Sequence, residues 1–298
     1  MGKCVWLITL AATMSALAAQ ENFRSPEEAA GALLGAFELN DFQHFVSVAG
    51  SRMAAFWTSG DPDRDAMERD LFLGAARKCG IRIDAGAAGR AMLYVGDLAE
   101  PFPAPLVRGD DGWRFDDDAG AAELTARRIR RNETAIMELC RRFREAEFVF
   151  RQLGHEQSQA FAQKIRSTPG QHDGLVWLER GEEDESPLGP LFAAAAFEDR
   201  GPGGEQRPLF GYYFRILTAQ GPDAPGGALD YRVNGTLRKG FALVAWPAEY
   251  GVSGQHTFLI NHLGDMYRKD LASDTGRLAE EMTVFNPDRS WTRFEGWE

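Results

Sequence analysis

The chain has 298 residues, 44% hydrophobic and 26% charged, with a formal net charge of -11. That length suffices for two ordinary cores, because one domain takes about 100–200 residues. A surface this acidic repels nucleic acid and anionic lipid, so neither is an expected partner.

The opening MGKCVWLITLAATMSALAAQ combines Lys3, an apolar run from Cys4 to Leu17, and small residues at Ala16 and Ala18. This is the order of a secretory signal peptide cleaved after Ala18 or Ala19. The run is shorter than the roughly 18–20 apolar residues that span a bilayer, so no membrane span is expected once residues 1–18 are gone. Removing Lys3 with them takes the charge to -12. Cys79 and Cys140 then remain. An oxidising compartment would let them pair, whereas helical settings among apolar neighbours suit free, buried thiols.

The first mature segment, FRSPEEAAGALLGAF, predicts a helix with Ser25 as N-cap, Pro26 at the first helical position and Glu27 and Glu28 in the first turn. A second helix starts at Asp41 and ends at Gly50. A third covers Asp65 to Cys79, with Leu71, Phe72 and Ala75 as its buried side. From Ala91 the short apolar runs AMLYVG and PLVRGDDGWRF, the latter carrying the turn DDG, read as strands. Helices followed by a small sheet make residues 19–118 an α+β module.

Residues 119–298 form the second module. It begins with AAELTARRIRRNETAIMELCRRFREAEFVFRQLG, in which Ile129, Ile136, Phe143 and Phe150 recur every seven residues and define one apolar stripe. Arg127, Arg128, Arg130, Arg131, Arg141, Arg142 and Arg144 lie among acids, and Glu123 to Arg127, Glu138 to Arg142 and Glu147 to Arg151 are favourable i,i+4 pairs, so this reads as a solvated, ion-paired face. Residues 167–227 hold eleven Gly and seven Pro, which marks a loop-rich insertion. GYYFRIL, DYRV-NG-TLR, FALVAW, HTFLIN and MYRKDL then read as an antiparallel meander, with Asn234-Gly235 its strongest turn signal.

Three resemblances follow from these stretches. SPLGPL, GYYFRILTAQGP, APGGALDYRVNG, GFALVAWPAEYGVSG and the series from Thr168 to Trp177, with FRSPEEA and PFPAPLVRGDDGWRF, resemble domain-of-unknown-function family 2950, an uncharacterised bacterial secreted family. That resemblance implies a periplasmic or secreted bacterial protein and brings no reaction, cofactor or catalytic residue with it. Where the family would place a DGDG-type acidic loop after the long helix, this chain has RQLGHEQS. The first module is similar to the NTF2-like or cystatin-like cone, a curved sheet on a helix. The second is similar to a type IV pilin or pseudopilin head, a helix carrying a small antiparallel sheet; Arg127, Arg128, Arg130 and Arg131 would be costly in a filament core or bilayer.

The stretch YGVSGQHTF places Ser253 three positions before His256. A nucleophile elbow needs GxSxG on a strand-to-helix turn, but here the second Gly comes one residue early and a strand follows, so the stretch reads as a bend. His256 and His262 lie about 20 Å apart on an extended strand, too far for one metal ion. DPDRDAMERDLF has Ala66 and Phe72 where a calcium loop needs Gly and Glu, so its acids read as helix-start residues. Glu182 to Glu185 read as a solvated acidic loop. No catalytic residue, metal site or cofactor is expected.

The candidate binding residues are Trp177, Tyr213, Arg215, Trp246 and Tyr250, because Tyr, Trp and Arg dominate contact hot spots. A plain sheet covered by loops accounts for the same pattern equally well. The expected function is a non-catalytic cell-envelope interaction or assembly factor with a cell-envelope protein as partner. The alternative is a small-ligand binding protein or hydrolase, with Trp57, Tyr94, Trp113 or Arg114 lining a cavity in the first module.

Overall fold

The computed structural model describes residues 19–58, 62–98, 100–153, 159–177, 186–189 and 208–294. The signal-peptide reading, the acidic run Glu182 to Glu185, the stretch LFAAAAFED and the loop residues 154–158 lie outside the described residues, as does much of the Gly- and Pro-rich insertion. The chain is α+β and forms two compact units, residues up to 124 and residues from 125 onward.

The first unit starts with α1 (Pro26–Glu38) and α2 (Phe42–Ala49). Their starts are set by local chemistry. The Ser25 hydroxyl accepts from the Glu28 N–H at 3.2 Å, and the Asp41 carboxylate accepts from the His44 N–H at 3.0 Å, each satisfying an N–H that has no partner within the helix. A 3₁₀ turn (Ser51–Met53) leads into α3 (Ala54–Trp57), and α4 (Pro62–Cys79) follows. The sheet is an antiparallel meander of β1 (Ile81–Ala85), β2 (Arg90–Val95), β3 (Leu106–Gly109) and β4 (Gly112–Phe115) in sequential order.

Two features here depart from the sequence reading. The sheet begins at Ile81, ten residues before Ala91. Strand β1 escapes notice because Arg82 and Asp84 pair with each other at its exposed side, so only its register with β2, Ile81 opposite Val95, makes it a strand. In α4, Phe72, Ala75 and Ala76 are buried as a core face requires, but Leu71 is 60% exposed while Asp65 is only 7% exposed.

The second unit takes the greater part of α5 (Asp117–Leu153) and a five-stranded antiparallel sheet. The strands are β5 (Tyr212–Leu217), β10 (Ala242–Pro247), β11 (His256–Asn261), β12 (Met266–Asp270) and β13 (Thr292–Arg293), in the order β13-β12-β11-β10-β5. The helical stripe Ile136, Cys140, Phe143 and Phe150 packs with Tyr212, Phe241 and Phe258 in one core. Glu138 pairs with Arg141 and Arg142 on the charged side, and Arg141 also pairs with Glu145.

Between β5 and β10 lie two short ladders, β6 (Ala219–Gln220) with β7 (Leu229–Asp230) and β8 (Arg232–Val233) with β9 (Thr236–Leu237). The turn at Asn234 (φ 52°) and Gly235 (φ 84°) has the two left-handed residues of a primed hairpin. Its ladder stays outside the main sheet because Tyr231, fully buried, divides DYRV into two strands with different partners. Helix α6 (Thr275–Glu281) and strand β13 were not foreseen; α6 packs on β10, and β13 adds to β12.

Glu147 is a further correction. The expected surface pair with Arg151 does not form: Glu147 is fully buried and accepts from the Ala162 N–H at 2.7 Å, while the Arg151 guanidinium lies 4.8 Å from the Phe161 ring centre. Cys79 and Cys140, the cysteines among the described residues, are free thiols. Cys140 is buried, which pushes its pKa up to about 12, whereas Cys79 is exposed at the end of α4 and not buried as its apolar neighbours suggested. No helix among the described residues is long and apolar enough to cross a membrane.

Candidate functional site

The inverted exposure on α4 coincides with a cavity of about 150 Å³ in the first unit. Asp65, Glu68, Arg69 and Phe72 recur at i, i+3, i+4 and i+7, so they share one helical face, and all four line the cavity. Phe37 from α1, Phe56 and Trp57 from α3, and the partly exposed Leu71 and Leu98 complete the wall. A buried carboxylate beside exposed leucines breaks the usual rule of polar residues outside and apolar residues inside, and such breaks concentrate at functional sites.

The aromatic wall is a continuous ring assembly. Phe37 stacks on Phe72 with centroids 4.3 Å apart, lies 5.0 Å from Trp57 and meets Phe56 edge-on at 6.2 Å. Phe56 then contacts Phe102 at 5.1 Å, and Phe102 contacts Phe115 at 5.3 Å, which ties the wall to the core beneath the sheet. Offset and edge-on aromatic pairs add about 0.5–1.5 kcal/mol each beyond their buried area, so the wall is stiff.

Polar groups enter this wall in fixed positions. The Thr58 hydroxyl donates to Asp65 at 2.9 Å. Arg69 donates to the Trp57 carbonyl at 3.5 Å, and its guanidinium carbon lies 5.4 Å from the centre of the Trp57 ring. A small apolar pocket with a few placed polar groups is the arrangement that binds small molecules. Of the four residues expected to line a cavity here, Trp57 does so. Tyr94 instead carries the Arg82 guanidinium at 4.1 Å on the sheet, Trp113 exchanges backbone hydrogen bonds with Phe23, and Arg114 reaches Gln20.

In the second unit, Tyr213 and Trp246 are cross-strand partners with rings 5.9 Å apart, and the Arg215 guanidinium lies 5.9 Å from Trp246. Arg215 donates to the backbone carbonyls of Ala279, Glu280 and Met282, and so holds the end of α6 against the sheet. Trp177 stacks on His172 at 4.0 Å, and the Tyr250 hydroxyl donates to Asp270 at 3.3 Å. Three of the five candidate residues thus share a sheet face, while Trp177 and Tyr250 each have separate partners.

The Ser253 question is decided by hydrogen bonds. The Ser253 hydroxyl donates to the Glu249 carbonyl at 3.2 Å and accepts from the Glu249 N–H at 3.0 Å, closing its own turn. His256 has a carboxylate partner, but it is Glu133 on α5, whose oxygens lie 3.0 and 3.1 Å from Nδ1. The same carboxylate accepts from the N–H groups of Gln255 and His256, each at 3.0 Å. Beneath it the buried Tyr212 hydroxyl donates to the His256 carbonyl at 3.1 Å, and burial together with the Glu133 charge pushes the phenol pKa up. A β-carbon on Gly254 would lie 2.0 Å from that hydroxyl, so only glycine fits. Glu133 therefore pins the loop to α5. Sequence reading could not find this pair, because its members lie 123 residues apart.

Among the described residues, no group of three or more His, Cys, Asp or Glu side chains is placed to hold a metal ion. His256 and His262 sit at opposite ends of β11, where His262 is partly buried and its pKa lowered by that burial.

Comparison with curated proteins finds no match, and comparison with solved structures finds none either. The family model described as "Protein of unknown function (DUF2950)" matches residues 20–294, nearly the whole chain, and the protein belongs to that family.

Proposed function

We propose that this chain is an exported bacterial binding protein whose first unit takes up a small ligand. The observation that carries the reading is the 150 Å³ cavity walled by Phe37, Phe56, Trp57 and Phe72, with Asp65, Glu68 and Arg69 set into the wall. A cavity of that size holds a molecule of about six to nine heavy atoms, since 150 Å³ accommodates a benzene-sized guest. The apolar leader supports export.

Thermal unfolding of the mature chain with small monocyclic aromatic compounds tests this. A compound at ten times its Kd adds about 1.4 kcal/mol by mass action and raises the Tm of a unit of about 100 residues by roughly 6–11 °C. Leu71→Ser, at an exposed wall position, should weaken that binding several-fold with a stability change within about 0.5 kcal/mol. If no compound moves the Tm or the tryptophan fluorescence at millimolar concentration, the pocket reading fails.

The reading as a cell-envelope interaction factor draws on other residues. Phe210, Tyr250 and Val252 are 38%, 37% and 40% exposed, and Phe210 and Val252 flank the close approach of Gly211 to Ser253. A photoreactive residue at Val252 should crosslink one discrete envelope protein in intact cells. Labelling no greater than that from an exposed charged site would remove this reading.

A further inference from the structure

We propose that the cavity of the first unit takes an uncharged, largely apolar molecule and turns away ions of either sign. The inference rests on the pocket reading above and adds the chemical class of the ligand. The charged side chains in the wall are already answered within the protein. Asp65 accepts from the Thr58 hydroxyl at 2.9 Å and has a further interaction, and Glu68 is engaged as well. Arg69 donates to the Trp57 carbonyl and lies over the Trp57 ring, so it is committed and that ring face is covered. A charged ligand would therefore lose its water and meet no free counter-charge, which costs far more than withdrawing an apolar body.

The rest of the wall is apolar. Phe37, Phe56 and Phe72 line the cavity, and Leu71 and Leu98 border it at 60% and 40% exposure. An apolar ligand takes the surface of those two leucines out of water together with its own, and that gain needs no directional partner. The cavity of about 150 Å³ is filled by about six to nine heavy atoms. A terminal group on a ligand of that size thus comes to rest against the wall and not in bulk water.

Four probes built on one phenyl ring test this: propylbenzene, 2-phenylethanol, 2-phenylethylammonium and phenylacetate, titrated calorimetrically into the mature chain at pH 7. The first three match in heavy-atom count and differ only in the terminal group. Propylbenzene should bind most tightly, the alcohol about tenfold more weakly because its hydroxyl gives up water, and both ions at least about tenfold below the alcohol. Leu71→Ser should weaken propylbenzene several-fold, which ties the binding to this cavity. Ammonium or phenylacetate binding as tightly as the alcohol would overturn the inference while the pocket reading stands. If none of the four binds, or if Leu71→Ser leaves propylbenzene binding untouched, both the inference and the pocket reading fall.

Discussion

Phe37→Ala is expected to destabilise the first unit by about 3–5 kcal/mol, the cost of removing a buried phenylalanine and leaving a void behind. The ring is 3% exposed and meets Phe45, Phe56, Trp57 and Phe72 at centroid distances from 4.3 to 6.2 Å, so one truncation removes contacts to α2, α3 and α4 together. A domain has only about 5–15 kcal/mol in total, so the variant would be marginally folded at 37 °C. Urea unfolding followed by tryptophan fluorescence measures the loss as a lowered midpoint at unchanged slope. A loss under about 1 kcal/mol would mean that the helices do not converge on this ring, and the cavity wall would then be wrong as described.

Glu147→Gln is expected to stabilise the second unit at pH 8 by about 1–3 kcal/mol, the range for relieving a poorly satisfied buried polar group. One carboxylate oxygen accepts the Ala162 N–H and the other has no hydrogen-bond partner among the described residues, and burial raises the pKa well above the ordinary value of 4.5. The folded state therefore holds a proton that the unfolded chain releases near pH 4.5. Stability from this group is fully present below that pH and declines as the pH rises toward the raised folded value. Glutamine keeps the acceptor for Ala162 and does not titrate.

The difference between variant and wild type should be near zero at pH 4 and grow as the pH rises to 8, other titrating groups cancelling between the two proteins. Chemical denaturation at both pH values provides the check. A variant less stable than wild type at pH 8 would show that the charged carboxylate is compensated within the core.

Glu147 also shows where sequence reading misleads. It follows Phe143 by four residues and precedes Phe150 by three, on the same stripe as Ile136 and Cys140, so its helical position alone marks it as inward-facing. Arg151 four residues later offered the competing account of an exposed ion pair. Which account holds depends on what packs against that turn of α5, and the segment around Phe161 and Ala162 is a separate stretch of chain. The charged pairs centred on Glu138, by contrast, were legible because both partners lie on one helix.

The candidate site was legible only in fragments. Asp65, Glu68, Arg69 and Phe72 stand on one face of a predictable helix, but the same letters read equally well as dipole-favoured acids at a helix start. Their partners Phe37, Phe56, Trp57 and Leu98 come from three other segments, and no spacing rule relates these to α4. Strand β1 and the C-terminal α6 and β13 escaped for a related reason: a short or charged segment becomes a strand or a packed helix when a neighbour supplies its hydrogen bonds or its apolar contacts.

The sequence by itself determined the local starts and turns: the Ser25 and Asp41 caps, the Asn234-Gly235 hairpin and the apolar stripe of α5. Those signals act over a few residues, through hydrogen bonds and backbone angles that each residue carries with it. Only the tertiary structure decided that Asp65 lies buried beside a ring-lined cavity, that Glu133 rather than Ser253 meets His256, and that Arg215 clamps α6. Each of these depends on groups brought together from distant parts of the chain, and burial, which sets the charge and reach of a side chain, is a property of the packed whole.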